Sequence, residues 1–148
     1  MEINDFAKDP YLKLVRPLVQ AYLAFARTGS RHIESLGLTP AQFDVIAELG
    51  DTDGLNCAEL SAATLVTKGT LTGVLDRLEA KGLIRRDDVK GDRRAIKIRL
   101  TAKGKAMFRK MFPTHARFLR PYFQRALTPQ DIKLLRSKLL RLRDSFEC

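Results

Sequence analysis

The apolar residues of this chain recur every three or four positions over most of its length, with one stretch where the period drops to two. Leu14, Val15, Leu18, Tyr22 and Phe25 share one helical face. The Asp9-Pro10 pair starts that helix, because Asp accepts from free backbone N–H groups and Pro fits the first helical position. The helix is expected to run towards Ser35 and stop at Gly37-Leu38, with a kink or break at Pro17, whose ring removes an N–H and collides with the preceding turn. Thr39-Pro40-Ala41-Gln42 is a capping box that opens a second helix through Phe43, Val45, Ile46 and Leu49 to Gly50. Asp51-Thr52-Asp53-Gly54 reads as a turn, Asn56 as the cap of a short third helix, and Thr67 as the cap of a fourth that Gly82 closes.

In the fourth helix Leu71, Val74, Leu75 and Leu78 form one buried stripe, while Lys68, Gly69, Thr72, Gly73 and Asp76 occupy the other face. After Gly82 the period becomes two. Leu83–Asp87 and Ala95–Leu100 read as paired strands, with Ile96, Ile98 and Leu100 facing in, Lys97 and Arg99 facing out, and Asp88–Arg94 as a polar loop. Thr101 caps a fifth helix, bent at Pro113 and Pro121. Thr128-Pro129-Gln130-Asp131 starts a sixth, where Ile132, Leu135, Leu139, Leu142 and Phe146 form a heptad-like seam. The expected fold is mainly α with a small β-hairpin: a winged helix-turn-helix lobe over 36–100, with helices at 9–35 and 101–148 flanking it in one domain.

A length of 148 residues suits one domain, and the formal charge of +10 makes polyanions the natural partners. That charge is uneven: residues 101–148 hold twelve Lys/Arg against three Asp/Glu, so motif geometry rather than bulk charge must identify the binding face. No apolar run reaches the roughly 20 residues of a membrane span, and the N-terminus lacks the regions of a signal peptide, so a cytoplasmic protein without membrane partners is expected. Cys57 and Cys148 have no metal-ligand spacing, and His32 and His115 are the only histidines. No glycine-rich phosphate loop follows a strand. An enzyme, a metal site and a cofactor are therefore not expected.

A helix enters the major groove only if its leading face is slim and carries hydrogen-bonding groups, and Thr67, Lys68, Gly69, Thr70, Thr72 and Gly73 meet that requirement. Set against it, the glycines could serve helix packing. The Lys90–Arg94 loop, with Arg93 and Arg94, would reach the minor groove, where negative potential favours a guanidinium; the plainer reading is a solvated charged turn. Arg77 is assigned to a phosphate or to pairing with Asp92. RNA is disfavoured because its A-form major groove is too narrow for a helix.

Three blocks carry a family resemblance: Leu38-Thr39-Pro40-Ala41-Gln42-Phe43, then Lys68-Gly69-Thr70-Leu71-Thr72-Gly73-Val74-Leu75-Asp76-Arg77-Leu78-Glu79-Ala80-Lys81-Gly82-Leu83, then Asp92-Arg93-Arg94 followed by Leu100-Thr101-Ala102-Lys103-Gly104. In that order and spacing, residues 36–104 resemble the core of the MarR family of bacterial transcriptional regulators. The resemblance implies sequence-specific recognition of double-stranded DNA by a homodimer, commonly as a repressor, with Arg94 at the wing tip and Asp92 orienting it. It also implies a small aromatic or anionic effector held between the dimerisation helices and the winged lobe. Arg16, Tyr22, His32, Phe43 and His115 lie on segments that could line such a cleft. The alternatives are a winged-helix protein-interaction module, or a redox-sensing regulator switched through Cys57, whose place after a helix cap favours a thiolate.

Overall fold

The computed structural model describes residues 2–89 and 92–147, with the backbone alone described at 89 and 92–95. It divides into two compact units, Met1–His115 and Ala116–Cys148. The first unit opens with a single turn, α1 (Ile3–Phe6), of which the periodicity gives no sign. Asp9 does cap, its Oδ1 accepting from the backbone N of Tyr11 (2.8 Å) and Leu12 (3.1 Å). What it caps is a turn leading into a 3-10 segment, Leu12–Leu14; the long helix α2 (Val15–Ser35) starts only afterwards. Pro17 consequently falls in the first turn of α2, where a missing N–H costs least, and the expected break does not occur. Gly37 ends the helix at φ 89°.

α3 (Pro40–Leu49) has its capping box, with Thr39 Oγ1 accepting from Gln42 N and Gln42 Oε1 from Thr39 N, both at 3.2 Å. α4 (Cys57–Ala63) is capped by Asn56, whose Oδ1 accepts from Glu59 N at 2.8 Å. α5 (Lys68–Ala80) follows a turn at 64–67. Thr67 occupies the N-cap position, but its hydroxyl donates to Thr70 Oγ1 at 3.1 Å instead of accepting a backbone N–H. The stripe Leu71, Val74, Leu75 and Leu78 is buried, as its spacing requires.

β1 (Ile84–Val89) and β2 (Asp92–Leu100) pair antiparallel from Ile84↔Leu100 to Asp88↔Ile96, with an irregularity between Asp88 and Val89. The strands therefore take up most of the stretch whose polarity reads as a loop. Polarity does not decide pairing at a hairpin tip, since both faces are solvated there and the ladder bonds are backbone bonds. Ile98 and Leu100 face the core, whereas Ile96, on the same side, lies beyond the core's edge and is 38% exposed. Leu55 adds a short third rung, its N and O bonding Ile98 O (3.0 Å) and N (2.8 Å), which ties the start of the helix-turn-helix to the sheet.

The core of this unit gathers Val45, Ile46 and Leu49 of α3, Leu60 of α4, the α5 stripe, Leu83, Ile84, Ile98, Leu100 and Met111. α6 (Ala102–Ala126) begins under this core and continues as helix through Pro113 and Pro121 into the second unit. Within that unit α7 (Pro129–Phe146) is capped by Thr128, whose Oγ1 accepts from Asp131 N at 3.2 Å. Its seam is largely uncovered: Ile132, Leu135, Leu139 and Phe146 are exposed and Leu142 half-buried. Leu14, Val15, Leu18, Tyr22 and Phe25 of the first unit are exposed as well.

Candidate nucleic-acid interface

α5 presents a polar, narrow outer edge about 20 Å long. Thr67, Lys68, Gly69, Thr70, Thr72 and Arg77 are exposed and Gly73 half-exposed. A Cβ built at Gly69 would meet nothing within 4 Å, and one at Gly73 only Arg77 Nη1 at 3.8 Å. Packing within the described chain therefore asks for neither glycine. A helix-interior glycine costs about 1 kcal/mol relative to alanine, and no close contact within the described chain offsets that cost at Gly73.

The neighbouring side chains hold this edge in place. Asp44 on α3 accepts from Leu65 N with Oδ2 at 2.8 Å, fixing the turn that delivers α5. Gln42, buried although polar, takes a bond from Lys81 Nζ (3.3 Å) just past the end of α5. Arg86 of β1 reaches Asp76 (2.8 Å) and Glu79 (3.8 Å), which draws the two carboxylates of α5 towards the sheet and neutralises charge that would repel phosphate. None of these three contacts was foreseen, since each links positions at least seven residues apart and leaves no local pattern. Lys103, in the first turn of α6, donates to Lys81 O at 2.9 Å.

On the hairpin's outer face Arg85 and Arg99 stand directly opposite, and Asp87 lies between them, 3.0 Å from Arg85 Nε and 3.3 Å from Arg99 Nε. Lys90, expected in the wing loop, lies outside the described residues. For Asp92, Arg93 and Arg94 the backbone places them at the start of β2, and their side chains are not described.

Of the five residues proposed to line an effector cleft, the structure brings three together. His32 and His115 have Nδ1 atoms 2.8 Å apart, and the Phe43 ring meets His115 edge-on with centroids 5.0 Å apart. Arg16 and Tyr22 are exposed on α2, about 24 and 15 Å along the helix from His32 at 1.5 Å per residue. Cys57 is an exposed free thiol at the first position of α4.

With this geometry in view, the MarR family model matches residues 36–95. The transcriptional regulator PecS of Dickeya dadantii is 30% identical over 77% of this chain and 70% of its own. MhqR of Bacillus subtilis, also a helix-turn-helix transcriptional regulator, is 32% identical over 71% of this chain and 72% of its own. Among solved structures, BpsR of Bordetella bronchiseptica, whose DNA binding 6-hydroxynicotinic acid regulates, superposes with a TM-score of 0.77 at 27% identity, covering 87% of this chain and 91% of that one. A short helix, a longer helix with a polar outer edge and an antiparallel wing, matched at this identity and coverage, leave no room for an enzyme reading: the chain belongs to the MarR family of DNA-binding transcriptional regulators.

Proposed function

We propose that the protein acts in the cytoplasm as a homodimeric, effector-responsive repressor that reads a pseudo-palindromic operator, with α5 in the major groove and the Lys90–Arg94 wing in the adjacent minor groove. The observation that carries this reading is the outer edge of α5, whose glycines serve no contact inside the described chain. Thr67, Lys68, Thr70 and Thr72 supply donors and acceptors to base edges or phosphates, Arg77 meets a phosphate, and Arg93 and Arg94 meet the minor-groove potential. Selection of bound duplexes from a random pool tests it. Wild type enriches a two-fold-related site with half-sites one turn apart, roughly 34 Å. Arg94→Ala weakens binding and flattens A·T preference at the flanks, while Lys68→Ala acts near the half-site centre. A pool that stays unenriched at low salt would sink the reading.

One lobe makes too few phosphate contacts for useful affinity at cellular salt, so pairing is required. The regions 9–35 and 101–148 are the dimerisation helices, and their exposed apolar residues support this: Leu18 and Tyr22 on α2, Ile132, Leu135 and Leu139 on α7. Leu139→Glu is expected to turn a dimer into a monomer in analytical ultracentrifugation at micromolar concentration. A wild-type monomer under the same conditions contradicts the assignment. The effector is a small aromatic or anionic molecule, and the His32, Phe43 and His115 cluster is the part of the chain that suits it, with aromatic rings and imidazole nitrogens gathered together.

A further inference from the structure

His32 and His115 are 83 positions apart in sequence, yet their rings lie close to parallel, with centroids 5.1 Å apart and an interplanar angle of 24°. Two imidazole nitrogens at 2.8 Å share a single proton: one Nδ1 donates and the other offers its lone pair. One added proton is tolerated, because an imidazolium still donates to a neutral ring. A second, taken from solvent, leaves two N–H groups face to face and two positive charges side by side. Burial first, and the charge of His32 second, hold His115 below the ordinary imidazole value of 6.5. α2 faces His115 with His32 and with the uncharged Gly29, whose Cβ position is 3.9 Å from the ring edge; α3 faces it with the uncharged ring of Phe43.

Phe43 stands between two residues that control α5. Gln42 receives Lys81 Nζ beyond one end of that helix, and Asp44 receives Leu65 N before the other. Three consecutive residues of α3 thus touch His115 and the segments that flank α5 on either side. We propose that the His32–His115 pair is a proton-operated latch between α2 and α6, closed while the two rings share a proton, open when each carries its own, and felt by α5 through α3. The small effector of the preceding section is not needed for this response; the DNA readout of the latch does rest on the DNA-binding reading.

The sign follows from linkage. The native state favours neutral His115, so this contribution to stability is complete above 6.5 and is lost as pH falls from there towards the depressed native value. Nonspecific electrostatics acts in the opposite direction, because protonating carboxylates makes the protein more positive and tightens DNA binding. The test measures affinity for the selected duplex by fluorescence anisotropy at pH 7.5 and 5.0 at constant ionic strength, in wild type, His115→Phe and His32→Gln. Wild type is expected to weaken about tenfold at the lower pH, and the two variants to hold or tighten. NMR titration of the His115 ring gives a readout without DNA: its midpoint should rise in His32→Gln, which also serves if His115→Phe does not fold. Identical pH profiles in all three proteins, tightening of wild type, or an unmoved His115 midpoint overturns the latch. Failure to bind any duplex at either pH, with the midpoint shift intact, overturns the DNA reading alone.

Discussion

Gly69→Glu is expected to fold at least as stably as wild type while losing DNA affinity by two orders of magnitude or more. The position is open, since a Cβ there meets nothing within 4 Å. It is the second residue of α5, where a carboxylate complements the unpaired N–H groups and gains about 0.3–1 kcal/mol. The same carboxylate would face the phosphates or base edges lining the groove. Like charge placed against like costs several kcal/mol at an interface, and about 2.7 kcal/mol is already a hundredfold in Kd. A two-fold complex repeats the penalty at each half-site. Thermal unfolding and anisotropy on one preparation separate the two effects: unchanged or raised Tm with lost binding supports the assignment, and retained affinity removes α5 from the interface.

The features that were legible in the sequence are the ones written locally. Capping boxes at Thr39 and Asn56 and the cap at Thr128 place three helix starts because donor and acceptor lie three residues apart. The α5 stripe is equally local, and it alone fixes which edge of that helix points outward. Misreadings arose where local signals have two outcomes. Asp9-Pro10 does start a turn, but the chain needed five more residues to enter α2, and that shift moved Pro17 from a helix interior into a first turn. The charged run 88–94 looks like a loop because its side chains are polar, whereas its ends are held by backbone bonds that carry no side-chain signature. The polar contacts around α5 join positions far apart in sequence, as does the histidine pair. His32 and His115 were each recognisable as chemistry-bearing residues, but their mutual contact follows only from the fold that brings α2 and α6 together.

Gly104 belongs to the same lesson, because Leu100-Thr101-Ala102-Lys103-Gly104 is readable as a motif without its physical reason. The reason is a splice between the end of α5 and the start of α6. Three successive carbonyls are used: Lys81 O accepts from Lys103 Nζ (2.9 Å), Gly82 O from Thr101 Oγ1 (2.6 Å), and Leu83 O from Thr101 N (3.1 Å). Thr101 Oγ1 in turn accepts from Gly104 N at 3.1 Å. This brings the first turn of α6 so near that a Cβ at Gly104 would overlap Leu83 O. Helix propensity alone predicts that Gly104→Ala stabilises by up to about 1 kcal/mol. Overlap with a buried backbone predicts the reverse, and it dominates because Leu83 is 1% exposed and its N is held by Leu78 O at 3.0 Å, so the obstructing atom has nowhere to go. A loss of about 1–3 kcal/mol is expected, a large share of the 5–15 kcal/mol typical of a domain. In urea the midpoint should fall with little change in slope, while Gly69→Ala leaves the midpoint unchanged or raises it. If Gly104→Ala proves as stable as wild type, the splice is not close-packed, and the placement of α5 against α6 must be held by some other contact.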